Sequence, residues 1–209
     1  MSSALILSLH IYTILSEISK SGKRGRGADH IRSVVQMALE MKSSLIIGLD
    51  VSGDPRSNEE NELIENEIKK AKSNGLKIAA HIGETKESLQ TAPSLLNLTD
   101  RIGHGTCLDF DSIQMIPFEL CPTSNVLSKT VSSYETHHFG RLFKREWPLC
   151  ICTDDKGVFN TSLSNEYYQL TKAFNLTKQQ LCQITKGSIE LIFDDDAKDK
   201  LREMFDKLC

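Results

Sequence analysis

Short apolar runs without strict alternation recur along the chain, at residues 4–11, 45–49, 77–80, 101–102, 116–120 and 149–152. Each is followed by turn residues and then by a stretch with helical spacing. Strands apolar on both faces belong to parallel sheets covered by helices, because each strand–helix–strand crossover lays a helix over the sheet. The pattern therefore predicts an α/β fold. Ser57-Asn58-Glu59-Glu60 has the spacing of a capping box, Leu63, Ile64, Ile68 and Ala71 mark one apolar helix face, and Asn74-Gly75 ends that helix. A further helix is expected over residues 86–98 with a break near Pro93, and three more near 164–174, 178–193 and 195–208.

Composition narrows this only slightly. The 209 residues, 39% hydrophobic and 25% charged, suit one globular domain over 1–209 with a sizeable core. A net charge of −3 lacks the basic footprint of phosphate-backbone binding, so nucleic acid is not an expected partner. The apolar stretch 4–15 is too short to span a bilayer and has no basic segment ahead of it; it reads as a buried strand, and no membrane association is expected. Six cysteines spread through the chain without a C-x-x-C pair fit a reducing, cytoplasmic setting. The stretch 21–27 is the sole candidate boundary.

Chemistry enters at the C-terminal end of each apolar run. Leu49 is followed by Asp50 and Ser52-Gly53-Asp54, Ala80 by His81 and Glu84, and Ile102 by His104; Leu120 is followed by Cys121 and Asn125, and Cys152 by Asp154-Asp155. In a (β/α) barrel those ends share one face and converge on the axis, where such enzymes keep their catalytic groups. Taken singly, a His or Asp after a strand is a turn former or a satisfied hydrogen-bonding group. Their succession is what points to function. Imidazole and carboxylate together suit zinc, so His81 and Asp154 are the expected ligands, and a catalytic zinc lowers the pKa of its water to about 7. Glu84, three residues beyond His81, is placed to donate a proton; His104 is placed to orient the water and take its proton; Asp155 is placed to accept from a substrate amine or ring nitrogen. The reaction class is metal-assisted hydrolysis.

His81-Ile82-Gly83-Glu84, Arg101-Ile102-Gly103-His104-Gly105, Cys121-Pro122-Thr123-Ser124-Asn125 and Thr153-Asp154-Asp155 occur in an order and spacing that resemble the adenosine/AMP deaminase family. The resemblance runs from about Lys23 to the C-terminus. Gly48-Leu49-Asp50-Val51-Ser52-Gly53-Asp54-Pro55, Ser133-Tyr134-Glu135-Thr136-His137-His138-Phe139-Gly140 and Lys156-Gly157-Val158-Phe159 make it most similar to the adenosine deaminase-like members that act on N6-methyl-AMP. The resemblance implies a zinc-dependent (β/α)₈ barrel in which an activated water attacks purine C6 and N6-methyl-AMP yields IMP and methylamine, a step of nucleotide metabolism. It also implies the roles. His81 and Asp154 would hold Zn2+, Glu84 would protonate ring N1, His104 would assist the water, Asp155 would contact N7 and the Gly53 amide N3. The partner implied is a small purine nucleotide.

The chain departs from the family pattern in three ways. None of its six histidines are spaced i, i+2, so the H-x-H that supplies two zinc ligands on the first barrel strand has no counterpart. A (β/α)₈ barrel typically needs about 250 residues, and the apolar runs count only the last six units, so the barrel is expected to be incomplete at the N-terminus. Eleven residues, 106–116, join the His104 run to the next, near the lower limit for a parallel crossover. His137-His138 is expected to be a substrate-rim or structural pair. Two other readings stay open: a non-catalytic form acting by binding or association, and a relative acting on another cyclic C–N bond.

Overall fold

The computed structural model describes residues 28–41, 46–53, 61–90 and 92–206. The apolar run 4–11, the stretch 21–27 and the capping box at Ser57 lie outside them. The backbone falls into two compact units, Met1–Asp100 and Arg101–Cys209.

The first unit holds helix α1 (Ala28–Glu40), strand β1 (Gly48–Val51), α2 (Asn61–Ser73), β2 (Lys77–Ile82), a 3-10 turn (Glu87–Gln90) and α3 (Ala92–Leu96). β1 and β2 run parallel, with Gly48 opposite Lys77 and Val51 opposite Ala80. β2 buries Ile78, Ala79, Ala80 and Ile82, so both of its faces are covered, as its unbroken apolar run requires. α2 turns Ile64, Ile68 and Ala71 inward at helical spacing. It stops where expected: the Leu76 N–H reaches back to the Ala71 carbonyl (3.1 Å) across Gly75, whose φ is +81°. The Asp100 carboxylate then fastens helix to strand, accepting from the Ile78 N–H (2.9 Å) and the Lys72 ammonium (3.3 Å). The helix expected over 86–98 is a 3-10 turn followed by the short α3, with the break near Pro93 as expected; Pro93 itself sits in the first turn of α3, where its missing N–H costs no hydrogen bond. α1 was not anticipated, although Val35 and Ala38 give it a buried face.

The second unit runs β3 (Arg101–His104), β4 (Phe118–Leu120), α4 (Pro122–Leu127), α5 (Phe139–Lys144), β5 (Leu149–Ile151), α6 (Lys156–Phe159), α7 (Leu163–Phe174), α8 (Lys178–Glu190) and α9 (Asp195–Asp206). β4 pairs in parallel with both neighbours, Ile102 lying opposite Phe118, and Phe118 opposite Leu149. The three expected C-terminal helices are present and capped by their own sequence. Ser162 accepts from the Asn165 N–H at the start of α7, and Thr177 with Gln180 forms a capping box at the start of α8. Helices α4, α5 and α6, of at most six residues each, are too short to show periodicity.

The short crossover between β3 and β4 works without a helix. Residues 105–117 instead bury Leu108 and Phe110. The Phe110 ring meets Phe118 edge-on at 5.5 Å and Trp147 at 6.2 Å, and the Trp147 indole N–H donates to the Ile116 carbonyl at 2.7 Å. Gly105 opens the crossover at φ +64°, and a Cβ there would run into the fully buried Phe118 ring. Gly105→Ala is therefore expected to cost about 2–4 kcal/mol from backbone strain and overpacking, seen as a lower Tm in a thermal melt. An unchanged melt would contradict this packing.

Candidate active site

In the second unit the chemistry gathers where β3, β4 and β5 end. His104 is the last residue of β3, Cys121 follows β4, and Asp154 lies three residues beyond β5. His104 and Asp154 both take left-handed backbone conformations, with φ of +61° and +54°. Such geometry costs a non-glycine residue of order 1–3 kcal/mol and persists only where surrounding contacts over-determine it. The His104 Nε2 lies 3.8 Å from Asp154 Oδ2. The two side chains and the Cys121 thiol place one ligand atom each within 4.8 Å of one another.

Helix α4 supplies the holding contacts. Pro122 starts it, and the fully buried Glu166 carboxylate accepts from the Thr123 N–H (2.8 Å) and from the Thr161 hydroxyl, putting negative charge against the positive end of the helix. The next two residues of α4 face the site. The Ser124 hydroxyl donates to Asp154 Oδ2 at 2.6 Å, while the Asp155 backbone N–H donates to Oδ1 at 2.8 Å. The Asn125 side-chain amide meets His104 Nδ1 at 3.1 Å, and its oxygen meets His137 Nε2 at 3.1 Å. Behind that ring the Phe139 N–H donates to His137 Nδ1 at 3.0 Å. His138 Nε2 bonds the carbonyl of His104 at 2.8 Å.

His137 and His138 stack with ring centroids 4.2 Å apart and are 2% and 6% exposed, which makes them a structural pair and not part of a rim. Burial, reinforced by the neighbouring histidines, drives the pKa of His137 down to about 2. Burial also takes His138 down to about 4, against the opposing pull of its bond to the His104 carbonyl. Both rings are neutral at pH 7. A hydrogen bond with Cys152 lowers the Cys121 thiol, but burial and the charges of Asp154 and Glu119 outweigh it and raise its pKa, so it stays protonated. Cys107, Cys121, Cys150 and Cys152 form no disulfide, whereas Cys182 is disulfide-bonded, unlike the reduced thiols expected from the sequence.

In the first unit, His81 stands on β2 with Nε2 3.8 Å from Asp50 Oδ1 on β1. Gly83, at φ +62°, turns the chain directly after β2. His81 and Glu84 thereby bring ligand atoms within 4.8 Å of each other. Gly53 is exposed in the bend after β1. Each expected site residue thus lies at or just beyond the C-terminal end of its strand, His81 with Glu84 in one unit and His104 with Asp154 in the other. Asp155 is half-buried at the start of α6.

Of the two expected ligands, His81 lies in the first unit and Asp154 in the second; imidazole and carboxylate are both donor types that zinc takes. Asp154 also has both oxygens held by hydrogen bonds, the support that orients ligating carboxylates. The holding roles of Ser124, Asn125 and His137 escaped the sequence reading. Pro directly after a strand was the available signal, since it starts a helix and puts the residues that follow into its first turn.

Because His137 is neutral when folded and has an ordinary pKa near 6.5 when unfolded, acid protonates the unfolded chain first. Its contribution is complete above about pH 6.5 and is lost as pH falls toward 2. The Tm is expected to fall on acidification from pH 7 to 4, less steeply in His137→Gln. Parallel profiles for the two proteins would count against a neutral buried His137.

The adenosine deaminase family model matches residues 18–208. The chain is 41% identical over 202 residues to the N6-methyl-AMP deaminase of Bos taurus, covering 89% of this chain and 57% of the relative. It is 43% identical over 176 residues to that of Homo sapiens, covering 78% and 49%. An apo N6-methyl-AMP deaminase from Arabidopsis thaliana superposes with a TM-score of 0.82 at 34% identity, over 88% of this chain and 56% of that one. The Arabidopsis protein complexed with GMP gives 0.83 at 34%, over 89% and 56%. The α/β fold of barrel type expected from the sequence is thus shared, and the chain spans about half the length of the curated relatives it matches. With a family match over most of its length and motifs that fall at its strand ends, this chain belongs to the adenosine deaminase family.

Proposed function

We propose that the chain serves hydrolytic deamination of a 6-aminopurine nucleotide, N6-methyl-AMP and water giving IMP and methylamine. The observation that carries this reading is the His104–Asp154 pair, held 3.8 Å apart on two strained strand ends. Its support from kinship is the set of relatives named N6-methyl-AMP deaminase and the Arabidopsis structure with bound IMP.

In this reading His81 and Asp154 hold a zinc ion, which when bound supplies Lewis-acid polarisation and a water of pKa about 7. Glu84 delivers a proton to ring N1, which weakens the aromatic ring and readies C6 for attack. Asp155 contacts the purine at N7, and the Gly53 amide donates to N3. His104 orients the attacking oxygen. The leaving group is methylamine, and the product keeps an oxygen on C6. The chain as it stands carries two ligands of the family's set, fewer than catalytic zinc sites normally have, so weak zinc affinity belongs to the proposal. Among the described residues no helix is long and apolar enough to cross a membrane.

The test is to incubate the purified chain with added zinc and with adenosine, AMP or N6-methyl-AMP, and to follow IMP, inosine and bound metal. IMP is expected from N6-methyl-AMP in preference to AMP. Glu84→Gln is expected to lower the rate by about 10²–10⁴-fold, and chelation to abolish it. A folded chain that neither binds zinc nor forms IMP would overturn the proposal in favour of a non-catalytic, associating form.

A further inference from the structure

The hydrogen bonds behind His104 leave its protonation little freedom. A backbone N–H can only donate, so the bond from the Phe139 N–H makes His137 Nδ1 an acceptor. A neutral imidazole with an accepting Nδ1 carries its proton on Nε2, and that Nε2 faces Asn125 Oδ1 at 3.1 Å. The Asn125 amide is thereby fixed with its oxygen toward His137 and its NH₂ toward His104 and Thr130. A second donor relation follows: the NH₂ can only donate, so His104 Nδ1 accepts. Each link is set by the one before it, and the first is set by the main chain. All four groups are buried.

We propose that Asn125 and His137 are positioning residues that hold His104 in the tautomer with its proton on Nε2, on the edge that faces Asp154. Resting on the deamination reading for its functional meaning, this changes the part His104 plays. Its Nε2 already bears hydrogen, so it meets the reacting oxygen as a hydrogen-bond donor, orienting that oxygen and stabilising negative charge as it grows there. His138 completes the arrangement from the other side, since its bond to the His104 carbonyl holds the backbone in the left-handed conformation from which the ring is presented. The paired histidines, otherwise unexplained, thus support the two ends of one residue.

The experiment is two-dimensional NMR of the chain labelled with ¹⁵N-histidine, the His104 signals being those lost in His104→Gln. The wild-type chain is expected to show a protonated Nε2 and a bare Nδ1. In Asn125→Asp a carboxylate that can only accept replaces the donor, so His104 is expected to move its proton to Nδ1. His137→Gln, which can still donate an N–H to Asn125, is expected to keep the wild-type pattern, whereas His137→Leu is expected to give a mixture of tautomers. Where turnover is measurable, Asn125→Asp is expected to lower kcat by about 10–100-fold with a smaller change in KM. A wild-type His104 protonated on Nδ1, or a folded Asn125→Asp chain with the wild-type pattern, would overturn the assignment. The wild-type spectrum decides the matter even if a variant fails to fold. The two readings fail separately: the expected tautomer without IMP formation overturns deamination alone, and IMP formation with a proton on Nδ1 overturns the relay alone.

Discussion

The second unit depends on the hydrogen bond between Asn125 and the His104 ring. His104 leaves β3 in a left-handed conformation, buried at 2% exposure, and a strained, buried imidazole without partners would face a desolvation penalty of its own. The structure offsets this with two hydrogen bonds, to Nδ1 from Asn125 and to the carbonyl from His138, while Nε2 lies 3.8 Å from Asp154 Oδ2. Strain at a site so fully supported is the pattern expected where geometry has been kept for chemistry and stability is drawn from elsewhere.

Helix α4 concentrates those contacts, and its own position rests on a buried charge. Glu166 stands at its N-terminus and ties it to α7 through Thr123 and Thr161. Ser124 and Asn125, neighbours in sequence, then reach two different strands' ends, Asp154 beyond β5 and His104 on β3. The crossover without a helix belongs to the same arrangement, since Phe110 stacks 6.0 Å from His138 and so backs the ring that holds the His104 carbonyl. Packing in the 105–117 segment and polar order at the strand ends are one connected structure.

The fold class was legible because parallel strands buried on both faces leave unbroken apolar runs, as residues 77–80 and 149–152 do. The long C-terminal helices were legible from periodicity and from caps such as Thr177 with Gln180. The site residues His81, Glu84, His104 and Asp154 were legible because they follow those runs. What the linear pattern could not show was support. Asn125 and His137 are twelve residues apart with several turns between them, and nothing in spacing says that one ring faces the other through an amide. The short helices were invisible for a simpler reason: four to six residues complete too few turns to carry a period. Pro93 marked the nearby break because proline is excluded from a helix interior and welcome in a first turn, where it sits.

The proposed function requires the strand-end residues of the second unit to meet a purine nucleotide, and the most direct measurement is a titration of the isotopically labelled chain with IMP followed by NMR. Saturable shifts centred on the His104 ring and on the backbone amides of Asp154 and Asp155 are the predicted result. Binding that leaves those resonances in place, or no binding by a folded chain, would contradict the account.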